Sequence, residues 1–301
     1  MKMTFPIKPR EFLKHSLHLT EEDIQKLKHP LPLTKMEREW LDIHDQYGHL
    51  SFREMDRLVE NNMLPVKFKN LKGKHFMCPS CAFGKMRKRA WRSKGTSNLK
   101  HICKKAHNKP GTKISTNQIV VAQPGLVPRL SGRHSHDRIC GATCFVDHFS
   151  KYSYSVLQIS LDGEQTLSAK NTFESHASTC GVKVALYRVD NGRFAERSFR
   201  DAVQQAQQMI DFCAVGDHHQ NGLVERHFQT LSTEARTILL YAKRYWPAMI
   251  TVILWPFAFK YAEILHNNLY LDENGLSPIQ KFCATTENMD MHDFHTWGCP
   301  C

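Results

Sequence analysis

The spacing of apolar and polar residues changes along the chain and divides it into two parts. In the N-terminal part, four apolar residues recur at helical spacing and mark one face of a helix. These are Met36, Trp40, Ile43 and Tyr47. Ser51 followed by Glu54 has the pattern of a capping box, which predicts a second helix through Val59. The sequence therefore predicts a helical pair.

Beyond Gly111 the apolar residues fall in short β-rich runs instead. The runs cover residues 114–121, 139–148, 152–159, 182–189 and 209–213. Helical patterns cover residues 167–179, 196–207 and a long amphipathic stretch from Gly222, followed by a further apolar helix to about residue 268. A meander of three strands followed by alternating helix and strand predicts a mixed α/β sheet with helices packed on it.

Charge adds a partner class to this picture. The 301 residues include 41 Lys and Arg against 29 Asp and Glu, and a formal charge of +12 favours encounter with polyanions such as nucleic acid. The ten cysteines are too few for a secreted disulfide scaffold. The most apolar stretch, residues 250–259, contains Pro256 and is too short to span a bilayer. We expect an intracellular protein of the nucleus or cytoplasm that does not enter membranes.

The first chemical pattern is a set of two histidines and two cysteines. His44, His49, Cys78 and Cys81 have the spacing H-x4-H-x28-C-x2-C. Two imidazole nitrogens and two thiolates are the ligands that tetrahedral Zn²⁺ prefers. A helical pair this small also needs a cross-link such as a metal ion in order to fold. The pattern therefore predicts a structural zinc site.

The second pattern is a pair of acids. Asp190 follows an apolar run and so lies at the carboxyl end of a predicted buried strand, where open α/β sheets gather ligands. Glu225 lies in the first turn of the long amphipathic helix, away from its apolar stripe. Carboxylates suit Mg²⁺, which requires hard oxygen ligands.

The sequence motifs around these residues are more specific evidence of a family than the residues themselves. In order, the chain reads WLDIHDQYGHLS, CPSCAFGK, VDHFSKY, VDNGRF and HQNGLVER. This series resembles the integrase region of Ty1/copia-type retrotransposon polyproteins. Its sequence is most similar to that of copia-like elements of algae and diatoms. The resemblance runs from about residue 40 to residue 268.

The resemblance implies a domain order and a fold. After an N-terminal lead at 1–34, it places a zinc-binding pre-integrase module at 35–83 and a basic linker at 84–111. It then implies an RNase H-like catalytic core at 112–270, with a mixed five-stranded sheet flanked by helices. The expected remainder, 271–301, is a truncated C-terminal extension.

The resemblance also implies a reaction, the processing of 3′ ends and the joining of DNA strands. Three carboxylates hold two Mg²⁺ ions for an in-line phosphoryl displacement. Asp190 and Glu225 correspond to the second and third acids, whereas the first position is occupied by Asn117. Neither Asp137 nor Asp147 lies on the strand that should carry the first acid. We therefore expect an integrase-derived protein with impaired catalysis.

Double-stranded DNA, from the element ends and the target, is the implied partner, and a homo-oligomer is the implied assembly. A basic run in the linker could lie along a phosphate backbone. Its residues are Lys85, Arg87, Lys88, Arg89 and Arg92. Gln220 and Asn221 fall where the family has a loop beside the DNA end.

Two other functions remain open at this point. One is an RNase H-like nuclease, which would also use clustered acids, although the zinc module and the QNGLVER helix argue against it. The other is a non-enzymatic DNA-binding or multimerising remnant, and Asn117 favours that alternative.

Overall fold

The computed structural model describes residues 33–86, 108–128, 136–213, 221–287 and 289–299. Its N-terminal part consists of three short helices and a turn of 3-10 helix. These are α1 (Lys35–Gln46), α2 (Phe52–Glu60), the 3-10 segment Val66–Leu71 and α3 (Pro79–Gly84). The two predicted helices are therefore present, and a third carries one of the cysteines.

The capping box predicted at the start of α2 is only half formed. The Ser51 hydroxyl accepts from the Glu54 amide at 3.3 Å, but the Glu54 carboxylate binds Arg57 and does not return to the cap. A complete capping box lies at the start of α1, where Thr34 and Glu37 bond reciprocally. The nearby guanidinium is a charged donor and competes successfully for the Glu54 carboxylate.

The second part is built on one mixed sheet. Its strands are β1 (Ile114–Leu126), β2 (Arg138–Asp147), β3 (Ser153–Gln158), β4 (Leu186–Val189) and β5 (Met209–Phe212), in the order β3-β2-β1-β4-β5. β1, β2 and β3 pair antiparallel, and β4 and β5 are parallel to β1 and to each other. The expected α/β class, with a mixed five-stranded sheet behind a small His/Cys helical module, is confirmed.

Helices cover both faces of this sheet. They are α4 (Gly163–Thr179), α5 (Arg197–Gln205), α6 (Gly222–Tyr245), α7 (Trp255–Leu269) and α8 (Pro278–Cys283). One apolar cluster joins α4, α5 and α8 to one face, with Phe145 and Phe173 stacked at 4.5 Å between ring centroids. The other cluster joins α6 and α7 to the opposite face through Ile119 and Cys144.

Two strands differ in length from their predictions. β4 begins four residues later than the apolar run, because residues 181 and 182 complete the end of α4. Gly181 has φ +70°, and the amides of Gly181 and Val182 bond to Ser178 and Ala177 in a Schellman arrangement. β1 is longer than predicted and continues through a register shift between Val120 and Gly125.

The helical module does not have a core of its own. Trp40, Met55 and Leu58 are fully buried in the same apolar cluster that contains Ile238 of α6 and Leu265 of α7. The module therefore packs on the two long helices of the sheet domain, which supply the apolar surface that a unit of its size lacks.

Candidate metal centre and catalytic cavity

The structure brings the four predicted zinc ligands together. One ligand atom from each of His44, His49, Cys78 and Cys81 lies within 4.8 Å of the others, and the group is almost completely buried. The Nε2 atom of His44 lies 3.3 Å from His49 Nδ1 and 3.3 Å from Cys81 Sγ. Cys78 Sγ lies 3.4 Å from His49 Nδ1. Tetrahedral ligands at ordinary zinc distances are about 3.3–3.8 Å apart, so this donor set fits a zinc-sized ion.

Backbone conformation explains the glycine before the second histidine. Gly48 and His49 both have a left-handed backbone, with φ of +61° and +63°. A Cβ at residue 48 would also lie 2.3 Å from Leu265 Cδ1. This turn aims His49 back at His44, whose Nδ1 lies 2.8 Å from the Leu50 carbonyl oxygen. That second contact fixes the ring orientation and leaves Nε2 facing the other ligands.

Electrostatics in this group favour a thiolate at Cys78 beside a neutral imidazole at His49. The hydrogen bond from Cys81, followed by those from His44 and His49, holds the pKa of Cys78 well below its ordinary value. Burial lowers the pKa of His49 to about 4. Metal binding requires deprotonated thiols and neutral imidazoles, and these two shifts supply one of each at neutral pH. The hydrogen bond to Cys78, followed by burial, raises the pKa of the Cys81 thiol.

Sequence reasoning missed Asp45, which lies beside this group. Its Oδ1 is 3.3 Å from His49 Nδ1, and burial, followed by the Cys78 charge, raises the pKa of its carboxyl to about 7. Its place next to His44 and four residues before His49 was the available signal.

The residues after the second cysteine attach the module to α6. A Cβ at Gly84 would lie 2.2 Å from Thr237 Oγ1, and the Arg236 guanidinium donates to the Gly84 carbonyl oxygen. Lys85 Nζ donates to the His49 carbonyl oxygen at 2.7 Å. This placement gives Lys85 a structural contact, and its contact with DNA stays a prediction.

A second site lies at the carboxyl end of β4. A cavity of about 450 Å³ is lined by both Asn117 and Asp190. Ser115 of β1 pairs with Arg188 of β4, so continuing this parallel register by two residues sets Asn117 opposite Asp190. Residues two apart on a strand share a face, so both side chains lie on the face that α6 covers. The remaining lining residues are Gln118, Val120, Leu161, Gly192, Arg193 and Glu196.

Glu225 lies in the first turn of α6 and is half-buried. The start of this helix is anchored beside Asn117, because Asn221 Nδ2 donates to the Thr116 carbonyl oxygen at 3.0 Å. Asn221 is itself buried. The predicted contact of Asn221 with DNA stays a prediction, and its position gives it a second role in placing Glu225.

Other acids near the cavity have defined positions. The Asp147 carboxylate accepts from the Gly111 amide at 3.0 Å and from the Ser150 amide and hydroxyl at 2.7 Å, so it is committed to a turn. Asp137 is exposed in the segment before β2. Glu196 lines the cavity and pairs with Arg193 at 2.7 Å; sequence reasoning did not single it out.

Several predicted residues lie outside the described part of the chain. They are Arg87, Lys88, Arg89, Arg92 and Gln220. Within the described ranges, none of the helices combines the length and apolar character needed to cross a lipid bilayer.

Comparison with known proteins adds two sequence matches. Residues 18–86 match the family described as the GAG-pre-integrase domain. A stretch of 170 residues is 29% identical to the Retrovirus-related Pol polyprotein from transposon RE1 of Arabidopsis thaliana. These matches support an integrase region of a retrotransposon polyprotein. The stretch is 56% of this chain and only 11% of the relative, so this chain is compared with a small part of that polyprotein.

Solved structures similar to this chain include retroviral proteins. One is from the intasome of simian T-cell lymphotropic virus in complex with a PP2A regulatory subunit, at 15% identity and a TM-score of 0.45. The similarity covers 59% of this chain and 56% of that chain. Another is the HTLV-2 integrase catalytic core domain in complex with magnesium, at 18% identity and a TM-score of 0.40. The similarity covers 58% of this chain and 98% of that chain.

Proposed function

We propose that this chain acts in DNA integration as a zinc-stabilised, DNA-binding integrase region whose strand-joining activity is severely impaired. The observation that carries the proposal is that Asn117 on β1 and Asp190 directly after β4 line the same cavity. By the family resemblance, Asn117 stands where the first of three catalytic carboxylates is expected, so a neutral amide would replace that carboxylate.

The donor set at this cavity suits an oxygen-ligated divalent cation only in part. Asp190 and the amide oxygen of Asn117, which here accepts from the Gln118 amide at 2.8 Å, would hold it from the cavity wall. Glu225, which lies on the first turn of α6 and is not among the residues that line the cavity, would complete the set of hard oxygen ligands. Bound Mg²⁺ would stabilise the attacking and leaving oxygens of a phosphoryl transfer. The protein's own contribution is to fix Asp190 at a strand end and Glu225 on an anchored helix. Asn117 would contribute an oxygen ligand that carries no negative charge.

Among the described residues, the other acids considered for this position are engaged elsewhere or exposed. Glu196, which lines the cavity, pairs with Arg193 at 2.7 Å. The Asp147 carboxylate is saturated by three hydrogen bonds in its turn, and using it for a metal would leave buried donors without partners. Asp137 precedes the second strand and is exposed. The impairment therefore follows from residue 117.

We assign the metal of the His/Cys group as structural Zn²⁺. Four nitrogen and sulfur ligands without an open position are typical of structural sites, and Leu50 supplies the outer contact that orients His44. A zinc titration with a mass measurement under non-denaturing conditions checks the assignment. One ion should bind, and Cys78→Ser should lose it.

The proposed partner is double-stranded DNA, bound by a homo-oligomer. The formal charge of +12 supports this, as does the basic run at Lys85, Arg87, Lys88, Arg89 and Arg92. The RE1 relative supports assignment to the copia-type elements. A location in the nucleus or cytoplasm stays an expectation.

One alternative is a non-enzymatic remnant that keeps DNA binding and assembly, and Asn117 is the observation that favours it. DNA binding that falls steeply with salt, together with inactivity that Asp at residue 117 does not repair, would support that alternative. An RNase H-like nuclease would instead cleave an RNA–DNA hybrid, which gives a direct assay for the second alternative.

A strand-transfer assay in Mg²⁺ with an oligonucleotide representing the element end tests the proposal. The wild-type chain is compared with Asn117→Asp and with the doubly substituted Asn117→Asp, Glu225→Gln. We expect Asn117→Asp to join strands at least about 100-fold faster than wild type, because it restores a full metal-binding triad. The double substitution should abolish the gain.

Equal activity of the wild type and Asn117→Asp would contradict the proposed impairment. Inactivity of both would contradict the claim that residue 117 is what limits the reaction. Both outcomes are interpretable only if the two proteins bind the same DNA equally well, which a fluorescence anisotropy titration measures in parallel.

A further inference from the structure

A pair of cysteines far from both sites joins two elements that are distant in sequence. Cys180 caps the C-terminal end of α4, and Cys283 is the last residue of α8. Their sulfur atoms lie 2.8 Å apart, although 103 residues separate them in the chain. Both residues are free thiols and both are partly accessible to solvent.

The backbone holds each of these cysteines firmly. The end of α4 is fixed by the two amide contacts at Gly181 and Val182. α8 begins with a complete capping box between Ser277 and Gln280. Because both ends are ordered before any reaction, the two thiols have a high effective concentration with respect to each other.

The residue next to Cys283 strengthens this placement. Phe282 is fully buried and stacks on Tyr152, with 4.5 Å between ring centroids. The Tyr152 hydroxyl lies 2.7 Å from His176 Nε2 on the last turns of α4. The Tyr152 hydroxyl thereby engages the imidazole, and the two sulfur atoms are the reactive groups of the cysteine pair.

We propose that Cys180 and Cys283 form a redox modification site that a low-molecular-weight disulfide, such as oxidised glutathione, converts into an intramolecular disulfide. The thiolate of one cysteine attacks the glutathione disulfide, forms a mixed disulfide and releases one glutathione thiolate. The second cysteine loses its proton, attacks the protein sulfur of the mixed disulfide and releases the second glutathione. The protein pair is oxidised by two electrons, and oxidised glutathione is reduced to two glutathione molecules.

The bond would close a loop that contains β4, α5, β5, α6 and α7. Asp190 and Glu225 both lie in this loop, so oxidation would restrict the segment that carries the two retained acids. Burial, followed by the neighbouring Cys180, raises the pKa of Cys283 to about 12. Because the thiolate is the reactive form, the exchange should accelerate as pH rises.

The test uses the full chain, reduced, loaded with zinc and then treated with oxidised glutathione. Remaining thiols are alkylated, and proteolytic peptides are analysed by mass spectrometry. We expect a peptide pair linked through Cys180 and Cys283, and a rise in Tm on the order of 5 °C or more that dithiothreitol reverses. Cys283→Ser should give no link and should carry glutathione on Cys180.

Cys140→Ser is the matched control, because Cys140 is a partly buried free thiol on β2 whose sulfur contacts only the nearby Arg138 carbonyl oxygen among the described bonds. It should leave the link and the Tm rise intact. Separate alkylation or glutathionylation of Cys180 and Cys283 in the wild type would overturn the proposal. An unchanged or lower Tm of the linked protein would overturn the proposed restriction of the loop.

Discussion

Gly84 of the helical His/Cys module lies against Thr237 of α6, so closely that a Cβ at residue 84 would be 2.8 Å from the Thr237 Cα. The same helix carries Glu225 in its first turn. The CxxCxxGK segment therefore serves as a docking surface as well as a source of ligands. A glycine is required because the nearest atoms include backbone, which cannot rotate away.

Gly84→Ala should destabilise the chain by about 1–3 kcal/mol through overpacking. Helix propensity alone would give the opposite sign, since Ala is favoured over Gly by about 1 kcal/mol in a helix. Urea unfolding of the full chain measures the difference. Adding Thr237→Ala should not restore stability, because the backbone contact remains, and a wild-type unfolding midpoint for Gly84→Ala would refute the docking.

Removal of the metal should destabilise more than the helical module. Trp40 and Leu58 share one apolar cluster with α6 and α7. Loss of the metal should therefore expose the apolar surface of both long helices. We expect Cys78→Ser, or chelation of the wild type, to lower the Tm and to raise amide exchange in α6. Cys140→Ser provides the control. Exchange in α6 that is insensitive to metal would show that the two parts unfold independently.

Glu234 should make stability depend on pH. Burial raises the pKa of its carboxyl from 4.5 to about 7, despite the hydrogen bond that the Tyr270 hydroxyl donates to it. The folded chain then retains a proton that the unfolded chain loses. This contribution is fully present below pH 4.5 and is lost as pH rises through about 7.

Glu234→Gln keeps the hydrogen-bond acceptor and removes the titration. Between about pH 5 and about pH 8, wild type should lose up to roughly 3 kcal/mol of stability relative to this variant. Parallel pH profiles for the wild type and Glu234→Gln would exclude the effect. The exposed residue Glu164 offers a control, since Glu164→Gln should leave the profile unchanged.

Asn221 should be needed for the position of α6. Asn221→Asp is nearly isosteric but cannot donate to the Thr116 carbonyl oxygen, so we expect a loss of about 1–3 kcal/mol. In an Asn117→Asp background it should also reduce strand transfer, because Glu225 follows four residues later. Unfolding and strand-transfer measurements on the same preparation distinguish the two effects. Wild-type values in both would show that the bond does not position the helix.

The sequence predicted the helices and strands better than the contacts between them. The two periodicities and the motif series were enough for the mixed sheet, the helical module and the grouping of two histidines with two cysteines. They could not predict that Gly84 meets Thr237, because such a contact depends on how two units pack over a long sequence separation. The short β4 was missed because apolar Val182 and Val184 are buried without pairing in a strand, so composition alone did not distinguish them from strand residues.

The residues around the cavity were likewise predicted only in part from the sequence. Motif position pointed to Asn117, Asp190 and Glu225, whereas Glu196 became visible only when the turn after β4 was folded. The roles of Lys85 and Asn221 inside the fold were also hidden, because their bonds go to backbone carbonyl oxygens that carry no sequence signature.

The central claim is that residue 117 leaves the cavity one negative charge short of a metal-binding triad. Titration with Mn²⁺, followed by electron paramagnetic resonance on protein whose His/Cys group is filled with Zn²⁺, measures this most directly. Asn117→Asp should bind Mn²⁺ at least about tenfold more tightly than wild type, or about 1.4 kcal/mol. Asn274→Asp, the same exchange at an exposed position, should change nothing. Equal Mn²⁺ affinity of the wild type and Asn117→Asp would contradict the account.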